Sequence, residues 1–305
     1  MGRIDAKGGA HGVPRPTYCG PEAFGQHALK MRPGFLSHGK FSRQDCRQGI
    51  IHSHMMIPAE LIRRLVAAKR VTVLTGAGVS AESGVPTFRD AQTGLWANFK
   101  PEDLATPRAF RRNPRLVWEW YDWRRRRVAG VQPNPAHHAL AAMEKRFPHF
   151  ALITQNVDGL HQRAGSRNVI ELHGNITRTK CFDEGTIVSS WPDTGDVPPK
   201  CPACGGLLRP DVVWFEEPLP EAEMERALAA STQCDVFLSI GTSTVVYPAA
   251  SLPYEALRSG AAVVEINPQP TPFTAQAHFV LTGPAGVVLP ELLAKMGKRT
   301  RLRAD

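Results

Sequence analysis

A glycine-rich run at residues 76–80 (Gly-Ala-Gly-Val-Ser) directly follows a β-branched stretch at residues 71–75, and this combination limits the folds open to the chain. The apolar stretch predicts a buried strand. Glycines at the end of a strand free backbone N–H groups to face a phosphate, because no Cβ blocks its approach. The run therefore indicates a phosphate-binding loop within an α/β fold.

The residues after this loop argue against a hydride-transferring dehydrogenase. Such a fold continues into a long helix and reaches an acidic ribose-binding residue about 20 residues on. Here Gly84 and Pro86 end the helix early, and Phe88-Arg89 follows on what must be a loop. We expect this segment to cover a bound nucleotide as well as to support it.

Strand-like runs recur along the chain and alternate with helix-like stretches. The strands are predicted at residues 71–75, 150–154, 236–240, 262–266 and 279–281, and helices at 58–69, 137–146, 221–230, 254–259 and 289–296. This alternation predicts an α/β fold with a Rossmann-like parallel sheet and helices on both faces. Two segments break it, a helical stretch at about 107–128 and a Gly/Pro/Cys-rich stretch at about 178–210. We predict that these insertions form a smaller lobe.

Composition and charge limit the classes of partner that the chain is expected to bind. The chain is 42% apolar, enough for a sizeable core, and no apolar run approaches the roughly 20 residues that span a bilayer. The net charge of +9 comes partly from the first 54 residues and partly from four arginines at 124–127, without interleaved aromatics. A solvated face or an acidic substrate explains this charge better than nucleic acid does. We expect a monomer with no nucleic-acid or membrane partner.

The two ends of the chain differ from its middle. Residues 1–54 are rich in Gly, Pro, His and Arg and lack periodicity, which predicts disorder. A mitochondrial transit segment and a start codon misplaced ahead of Met55-Met56 are alternatives. Otherwise we expect a cytoplasmic protein, because six unevenly spaced cysteines favour a reducing compartment and a metal site over a disulfide framework. Residues 299–305 are predicted to be a tail.

Polar residues cluster directly after the predicted strands, where an open α/β sheet places its ligands. They are Gln155, Asn156 and Asp158 after the second strand, Gly241, Thr242 and Ser243 after the third, and Asn267 at the end of the fourth. Each group alone would be an ordinary turn. Their joint placement predicts one site at the carboxyl edge of the sheet.

His173 is the best candidate for a general base. It lies beside Gly174, shortly after the apolar pair at 169–170, so it should face a cleft and titrate near neutrality. His161 and the pair His137-His138 are weaker candidates. The pair is predicted at a helix start, since it follows Asn134-Pro135.

Together these motifs resemble those of the sirtuins, the family of NAD-dependent protein deacylases. The resemblance covers about residues 55–298, in the family's order. Its Rossmann-like parts would be residues 55–95, 137–175 and 212–298, and its small lobe residues 96–136 and 176–211. The matching segments are residues 76–80, Thr87-Phe88-Arg89, the run 154–161, Leu172-His173-Gly174, Gly241-Thr242-Ser243 and Asn267.

The resemblance implies a reaction and a set of site residues. The amide oxygen of an acylated lysine would attack the ribose carbon that bears nicotinamide, and nicotinamide would leave to give an alkylimidate. His173 would act as base on a ribose hydroxyl, which closes onto the imidate carbon. Water would then release lysine and O-acyl-ADP-ribose. Asn156, Asp158 and Arg89 would assist catalysis. The implied NAD-binding residues are Gly76, Ala77, Gly78, Ser80, Phe88, Arg89, Gln155, Asn156, Asp158, Gly241, Thr242, Ser243, Asn267 and Ala285.

The acyl preference depends on Tyr121 and Arg124, which are three residues apart and share a helix face. A guanidinium and a phenol hydroxyl together suit a carboxylate. Sirtuins that remove succinyl, malonyl or glutaryl groups resemble this chain at that Tyr-x-x-Arg, so we expect deacetylation and also removal of succinyl or malonyl. The alternative is that Arg124 begins a solvated arginine face and Tyr121 belongs to the core.

Two segments depart from the family pattern. The zinc module retains Cys181, Cys201 and Cys204, but Glu184 stands where the fourth thiolate belongs. Glu184, Asp183 or water could complete a zinc site, and a metal-free lobe is the alternative.

The other departure is residues 213–217, where Glu216 replaces the Gly of the family's Phe-Gly-Glu. The resemblance implies that Val213 and Phe215 pair with the substrate peptide here. Glu216 would oppose an acidic acyl group if it faced the channel and would have no effect if it faced solvent.

Three functions remain open at this point. The first is the NAD-dependent deacylase. A mono-ADP-ribosyltransferase would use the same departure of nicotinamide with another acceptor. A catalytically weak NAD-sensing module is suggested by the missing thiolate and by Glu216.

Overall fold

The computed structural model describes residues 56–85 and 99–297. The expectations for residues 1–54, for Phe88 and Arg89 and for the tail at 299–305 lie outside the described residues. No helix of the described segments combines the length and the apolar character needed to cross a bilayer.

Eight strands form two sheets in the described residues. They are β1 (Arg70–Thr75), β2 (His149–Thr154), β3 (Val169–Glu171), β4 (Gly174–Cys181), β5 (Leu208–Val212), β6 (Val236–Ile240), β7 (Ala262–Asn267) and β8 (Phe279–Thr282). Six of them make a parallel sheet in the order β3-β2-β1-β6-β7-β8, which confirms the predicted fold class. The order reverses direction at β1 and β6, so the carboxyl ends of these two strands form the switch point at which such sheets bind ligands.

Ten α-helices surround the strands in the same part of the chain. They are α1 (Ala59–Ala67), α2 (Ala77–Ala81), α3 (Pro101–Leu104), α4 (Pro107–Arg112), α5 (Pro114–Gly130), α6 (Pro135–Glu144), α7 (Leu160–Arg163), α8 (Glu221–Thr232), α9 (Leu252–Arg258) and α10 (Ala285–Lys295).

Both faces of the sheet are covered by helices. Val73 of β1 packs into a core with residues of α1, α6 and α10, whereas the next residue, Leu74, packs with residues of α8 and α9. A strand buried on both faces needs apolar residues at successive positions. This explains why Val73 and Leu74 are both apolar, whereas the hydroxyl of the buried Thr72 donates to the Ala230 carbonyl at 2.8 Å.

The helical insertion is two helices where one continuous stretch was predicted. Asn113 separates α4 from α5 with φ −148° and ψ 80°, because the ring of Pro114 disfavours a helical conformation of the residue before it. The Asn113 side chain then accepts a hydrogen bond from the amide of Leu116 at 3.1 Å and caps α5. The break lets α5 pack on the antiparallel pair β4 and β5, in a core of its own.

Candidate active site

Three glycines bring the loops after β1 and β6 into direct contact. A Cβ on Gly76 would lie 2.7 Å from the Thr242 side chain, and one on Gly78 would lie 2.8 Å from the Gly241 carbonyl oxygen. Gly241 itself has φ +58°, and a Cβ there would lie 2.6 Å from the Val79 nitrogen. Any side chain at these positions would separate the two loops, so glycine is required for their contact.

The sequence predicts that the glycine amides face a phosphate, but in the structure the amides of Gly76 and Gly78 have backbone acceptors. The Gly76 N–H donates to the Ile240 carbonyl at 3.1 Å, and the Gly78 N–H donates to the Gly241 carbonyl at 2.9 Å. These two donors therefore bind the end of β6 and the residue that follows it, and not a phosphate. Between them, Ala77 stays exposed at the sheet edge.

Asn156 and Asp158 are buried against the glycine loop. The Asn156 amide nitrogen donates to the Gly76 carbonyl and to the Ser80 hydroxyl, both at 3.0 Å. Asp158 accepts a hydrogen bond from the Leu160 amide at 2.9 Å. Burial raises the pKa of Asp158, although this amide, Ser80 and the charge of Arg124 favour the carboxylate.

The loops after β2, β6 and β7 are joined by side-chain hydrogen bonds. Gln155 donates from Nε2 to the Thr242 hydroxyl at 2.9 Å, and Asn267 donates from Nδ2 to the Thr242 carbonyl at 2.7 Å. Next to this junction Ser243 is exposed. The structure thus brings together the polar residues that the sequence places after separate strands.

The start of α10 is fixed to the end of the glycine loop. Ala285, which the resemblance assigns to NAD binding, is buried at the first position of α10. The next amide, that of Gly286, donates to the Glu82 carboxylate at 2.9 Å. Ala285 therefore has a fixed position relative to the glycine loop.

His173 is half-buried in the turn between β3 and β4. Its Nδ1 lies 2.9 Å from the Gln155 carbonyl oxygen. Because a carbonyl can only accept, Nδ1 carries the proton and Nε2 is left as the acceptor. Burial lowers the pKa of His173, while the bond to Gln155 opposes that shift. The imidazole is therefore neutral at pH 7, as a general base requires.

The other two histidines of the site are part of the buried core beneath the glycine loop. The rings of His137 and His161 lie 4.8 Å apart, and burial lowers their pKa values to about 4 and about 3. His161 Nε2 contacts the Thr75 hydroxyl at 3.0 Å, and His137 Nδ1 accepts from the Asn134 amide at 3.2 Å. Both are neutral supports of the loops, and His138 is exposed on α6.

Tyr121 and Arg124 lie together on α5, next to the polar cluster. Tyr121 is buried, and the Arg124 guanidinium is 5.7 Å from the centre of its ring and 4.9 Å from that of Trp120. The charges of Arg124 and Asp158 interact favourably. Burial raises the pKa of Tyr121 to about 12, so its hydroxyl stays protonated.

The four successive arginines of α5 do not form one solvated face. Arg125 donates to the Ile176 carbonyl at 2.7 Å and so ties α5 to β4. Arg126 pairs with Asp122 at 3.0 Å, and the Arg127 guanidinium lies 5.1 Å from the ring centre of Trp123. A helix turns about 100° per residue, so neighbouring side chains point in different directions.

Residues 213–217 run beside His173. The Val213 amide donates to the His173 carbonyl at 2.9 Å, and the Phe215 amide donates to the Ala105 carbonyl at 2.9 Å. Phe215 is 50% exposed. Glu216 is also exposed and pairs with Arg108, whose Nε lies 3.1 Å from its carboxylate. Of the two orientations considered for Glu216, the structure has the one that faces solvent.

The position of Glu216 explains why the family pattern has glycine there. Its φ is +75°, a left-handed conformation that residues with a Cβ adopt at a cost of roughly 1–2 kcal/mol. Glycine adopts it freely.

An exposed apolar segment beside the site was not singled out from the sequence. Val245, Val246 and Tyr247 are 48%, 45% and 71% exposed and directly continue the loop of Gly241. Three consecutive apolar residues shortly after a glycine-containing loop, outside any predicted strand, are the signal that could have identified the segment.

Comparison with known proteins places this site in a family. A model described as the Sir2 family matches residues 76–248. The NAD-dependent protein deacylase 1 of Pseudomonas aeruginosa is 53% identical over 243 residues, which cover 77% of this chain and 97% of that protein. The chain belongs to the Sir2 family. This membership confirms the resemblance to sirtuins seen in the motifs.

Two further proteins support the assignment to the Sir2 family. The NAD-dependent protein deacylase of Aquifex aeolicus is 58% identical over 212 residues, covering 68% of this chain and 88% of that protein. A solved structure of a Sir2 homologue in complex with NAD aligns with a TM-score of 0.73 and 47% identity. That alignment covers 79% of this chain and 94% of the solved one.

The Sir2-family chain carries its cysteine cluster at the far end of β4 and β5. The sulfur atoms of Cys181, Cys201 and Cys204 all lie within 4.8 Å of one another, with 3.4 Å between those of Cys181 and Cys204. Three thiolates at this spacing fit zinc, which prefers sulfur ligands and four-coordination. Glu184, which takes the place of the fourth cysteine, is exposed. The Asp183 carboxylate and the Cys204 sulfur both border Gly206, since a Cβ there would clash with the Asp183 Oδ2 and lie 3.4 Å from the Cys204 sulfur.

Proposed function

We propose that the chain is an NAD-dependent protein-lysine deacylase that removes acetyl groups and also acidic acyl groups such as succinyl and malonyl. The observation that carries this proposal is the state of His173, a neutral imidazole whose Nε2 is kept as acceptor by the Gln155 carbonyl. The names of the Pseudomonas and Aquifex relatives support NAD-dependent protein deacylation, the coarser part of this proposal.

The dinucleotide would bind at the switch point of the sheet, beside the glycine loops after β1 and β6. Side chains at Gly76, Gly78 or Gly241 would force apart the loops that line this edge. When bound, NAD supplies a ribose carbon that releases nicotinamide and becomes the acceptor of the acyl oxygen. Asn156, held by the Gly76 carbonyl, and the buried Asp158 would orient the nicotinamide amide away from water.

His173 would take a proton from a ribose hydroxyl at Nε2. The proton on Nδ1 remains hydrogen-bonded to the Gln155 carbonyl oxygen. This hydrogen bond would stabilise the imidazolium that forms when Nε2 takes the second proton. Segment 213–215, hydrogen-bonded to His173 and Ala105, would present the acylated lysine to the base. The exposed apolar residues 245–247 offer the protein substrate a second contact.

The preference for acidic acyl groups rests on Tyr121 and Arg124. A buried phenol that stays protonated and a guanidinium in contact with its ring can both donate to a carboxylate. Glu216, which would repel such a group, is directed to solvent and paired with Arg108. The positively charged guanidinium of Arg124 would therefore bind the carboxylate of an acidic acyl group.

One assay tests the proposal. The protein is incubated with NAD and with acetyl-, succinyl- or malonyl-lysine peptides, and the products are separated by mass spectrometry. We expect free lysine and O-acyl-ADP-ribose, with the acidic acyl groups removed efficiently. ADP-ribosylated protein without deacylation would instead identify a mono-ADP-ribosyltransferase, and NAD binding without turnover an NAD-sensing module.

We also propose that Cys181, Cys201 and Cys204 hold one zinc ion, with a weaker fourth ligand than in a four-cysteine site. Replacing Glu184 by Cys should therefore tighten zinc binding. A tenfold gain adds about 1.4 kcal/mol of stability at excess zinc, which raises Tm by about 3–6 °C. Metal analysis after dialysis against a chelator, and Tm with and without zinc, measure this.

Asp193→Cys is the matched control, since Asp193 is an exposed acid in the same lobe. Equal zinc retention by the control and by Glu184→Cys would contradict the assignment of position 184 to the metal site.

A further inference from the structure

Trp214 makes a hydrogen bond to the proposed acyl-binding tyrosine. Its indole Nε1–H donates to the Tyr121 hydroxyl at 3.0 Å, and both side chains are almost fully buried. The two residues are 93 positions apart in sequence. Trp214 belongs to the segment that runs beside His173, whereas Tyr121 lies on α5.

The direction of this hydrogen bond is fixed by chemistry. An indole nitrogen can only donate, so the phenol oxygen must accept. The single proton of the phenol then has to be donated to another group. Because the pKa of Tyr121 is about 12, this proton is present at every pH at which the protein would work.

The indole itself is held on two sides. The Arg209 guanidinium stacks 3.3 Å from the centre of the Trp214 ring and is ion-paired with Glu217. The Glu217 carboxylate also accepts from the Trp214 amide at 2.8 Å, and Arg209 donates to the Val212 carbonyl at 2.8 Å. This clamp keeps the ring from rotating, so its N–H stays directed at Tyr121.

We propose that Trp214 is a positioning residue that sets the acyl preference. It occupies an acceptor site of the Tyr121 oxygen and so leaves the hydroxyl to act as a donor to an acyl carboxylate beside Arg124. An acetyl group has no carboxylate and gains nothing from this orientation. The inference rests on the proposed removal of acidic acyl groups.

The test replaces Trp214 by Phe, which keeps an aromatic ring and removes the N–H. We expect the ratio of kcat/KM for succinyl-lysine over acetyl-lysine peptide to fall about threefold to tenfold, the effect of one neutral hydrogen bond. Tyr121→Phe should lower the ratio similarly. In the Tyr121→Phe background the Trp214 replacement should have no further effect on the ratio, because Trp214 acts through the phenol.

Trp191→Phe is the matched control, since Trp191 is a half-buried tryptophan that packs edge-on against Trp118. The inference would be overturned if Trp214→Phe lowered kcat/KM equally for the succinyl-lysine and acetyl-lysine peptides. It would also be overturned if Trp214→Phe lowered their ratio as much in the Tyr121→Phe background as in the wild type. If Trp214→Phe does not fold, Glu217→Gln, which loosens the clamp on the indole, must lower the same ratio. A wild-type protein that removes acetyl but not succinyl or malonyl groups would overturn the proposed acyl preference itself.

Discussion

Replacing His173 by Gln is expected to lower kcat for deacylation by about 10²- to 10⁴-fold, while NAD binding changes little. A glutamine amide can still donate to the Gln155 carbonyl, so the turn between β3 and β4 should persist. It cannot accept a proton at neutral pH. The measurements are peptide deacylation kinetics and NAD titration by calorimetry.

The control is His138→Gln, because His138 is exposed on α6 and away from the hydrogen bonds of the site. Retained deacylation in the His173 variant would contradict its role as base. The pH profile gives a second check. Burial lowers the pKa of His173 below its ordinary value of 6.5, so the neutral base persists as pH falls. The acid limb of kcat/KM in the wild type should therefore lie below pH 6.5.

Replacing Arg124 by Met is expected to lower the ratio of succinyl to acetyl kcat/KM by about 10- to 100-fold. A charge-assisted hydrogen bond is worth about 1.5–3 kcal/mol, and each 1.4 kcal/mol is a factor of ten. Methionine is also long and unbranched, but it carries no charge to place over the rings of Trp120 and Tyr121. Steady-state kinetics with both peptides measure the ratio.

Arg126→Met is the matched control on the same helix, since Arg126 is exposed and paired only locally with Asp122. We expect the control to keep the wild-type ratio. Equal ratios in the two variants would show that the positive charge of Arg124 does not select the acyl group.

Much of the fold could be predicted because its signals are local. A short run rich in β-branched residues and ended by glycine, such as residues 71–75, indicates a buried strand, and alternation with helices implies parallel pairing. The observed strands β1, β2, β6, β7 and β8 begin and end within one residue of the predicted ones. Where helices were misjudged, as at Asn113, the cause was also local, namely the effect of Pro114 on the residue before it.

Part of the site was predictable for the same reason. Ends of parallel strands lie at one edge, so Gln155, Thr242 and Asn267 could be expected to converge. Gln155 and Asn267 each donate a hydrogen bond to Thr242. The contacts of the glycines could not be foreseen. The sequence shows that position 78 is glycine. Only the fold shows that a Cβ there would collide with the Gly241 carbonyl oxygen.

The sequence by itself determined the parallel sheet, the glycine loops, the candidate base and the family motifs, because periodicity, steric freedom and residue chemistry are properties of short segments. Only the tertiary structure decided that Glu216 turns to Arg108, that His137 and His161 are buried supports, and that Trp214 orients Tyr121. These outcomes depend on contacts between side chains that are tens of residues apart in sequence. The packing of helices and strands determines those contacts, and no local sequence pattern encodes them.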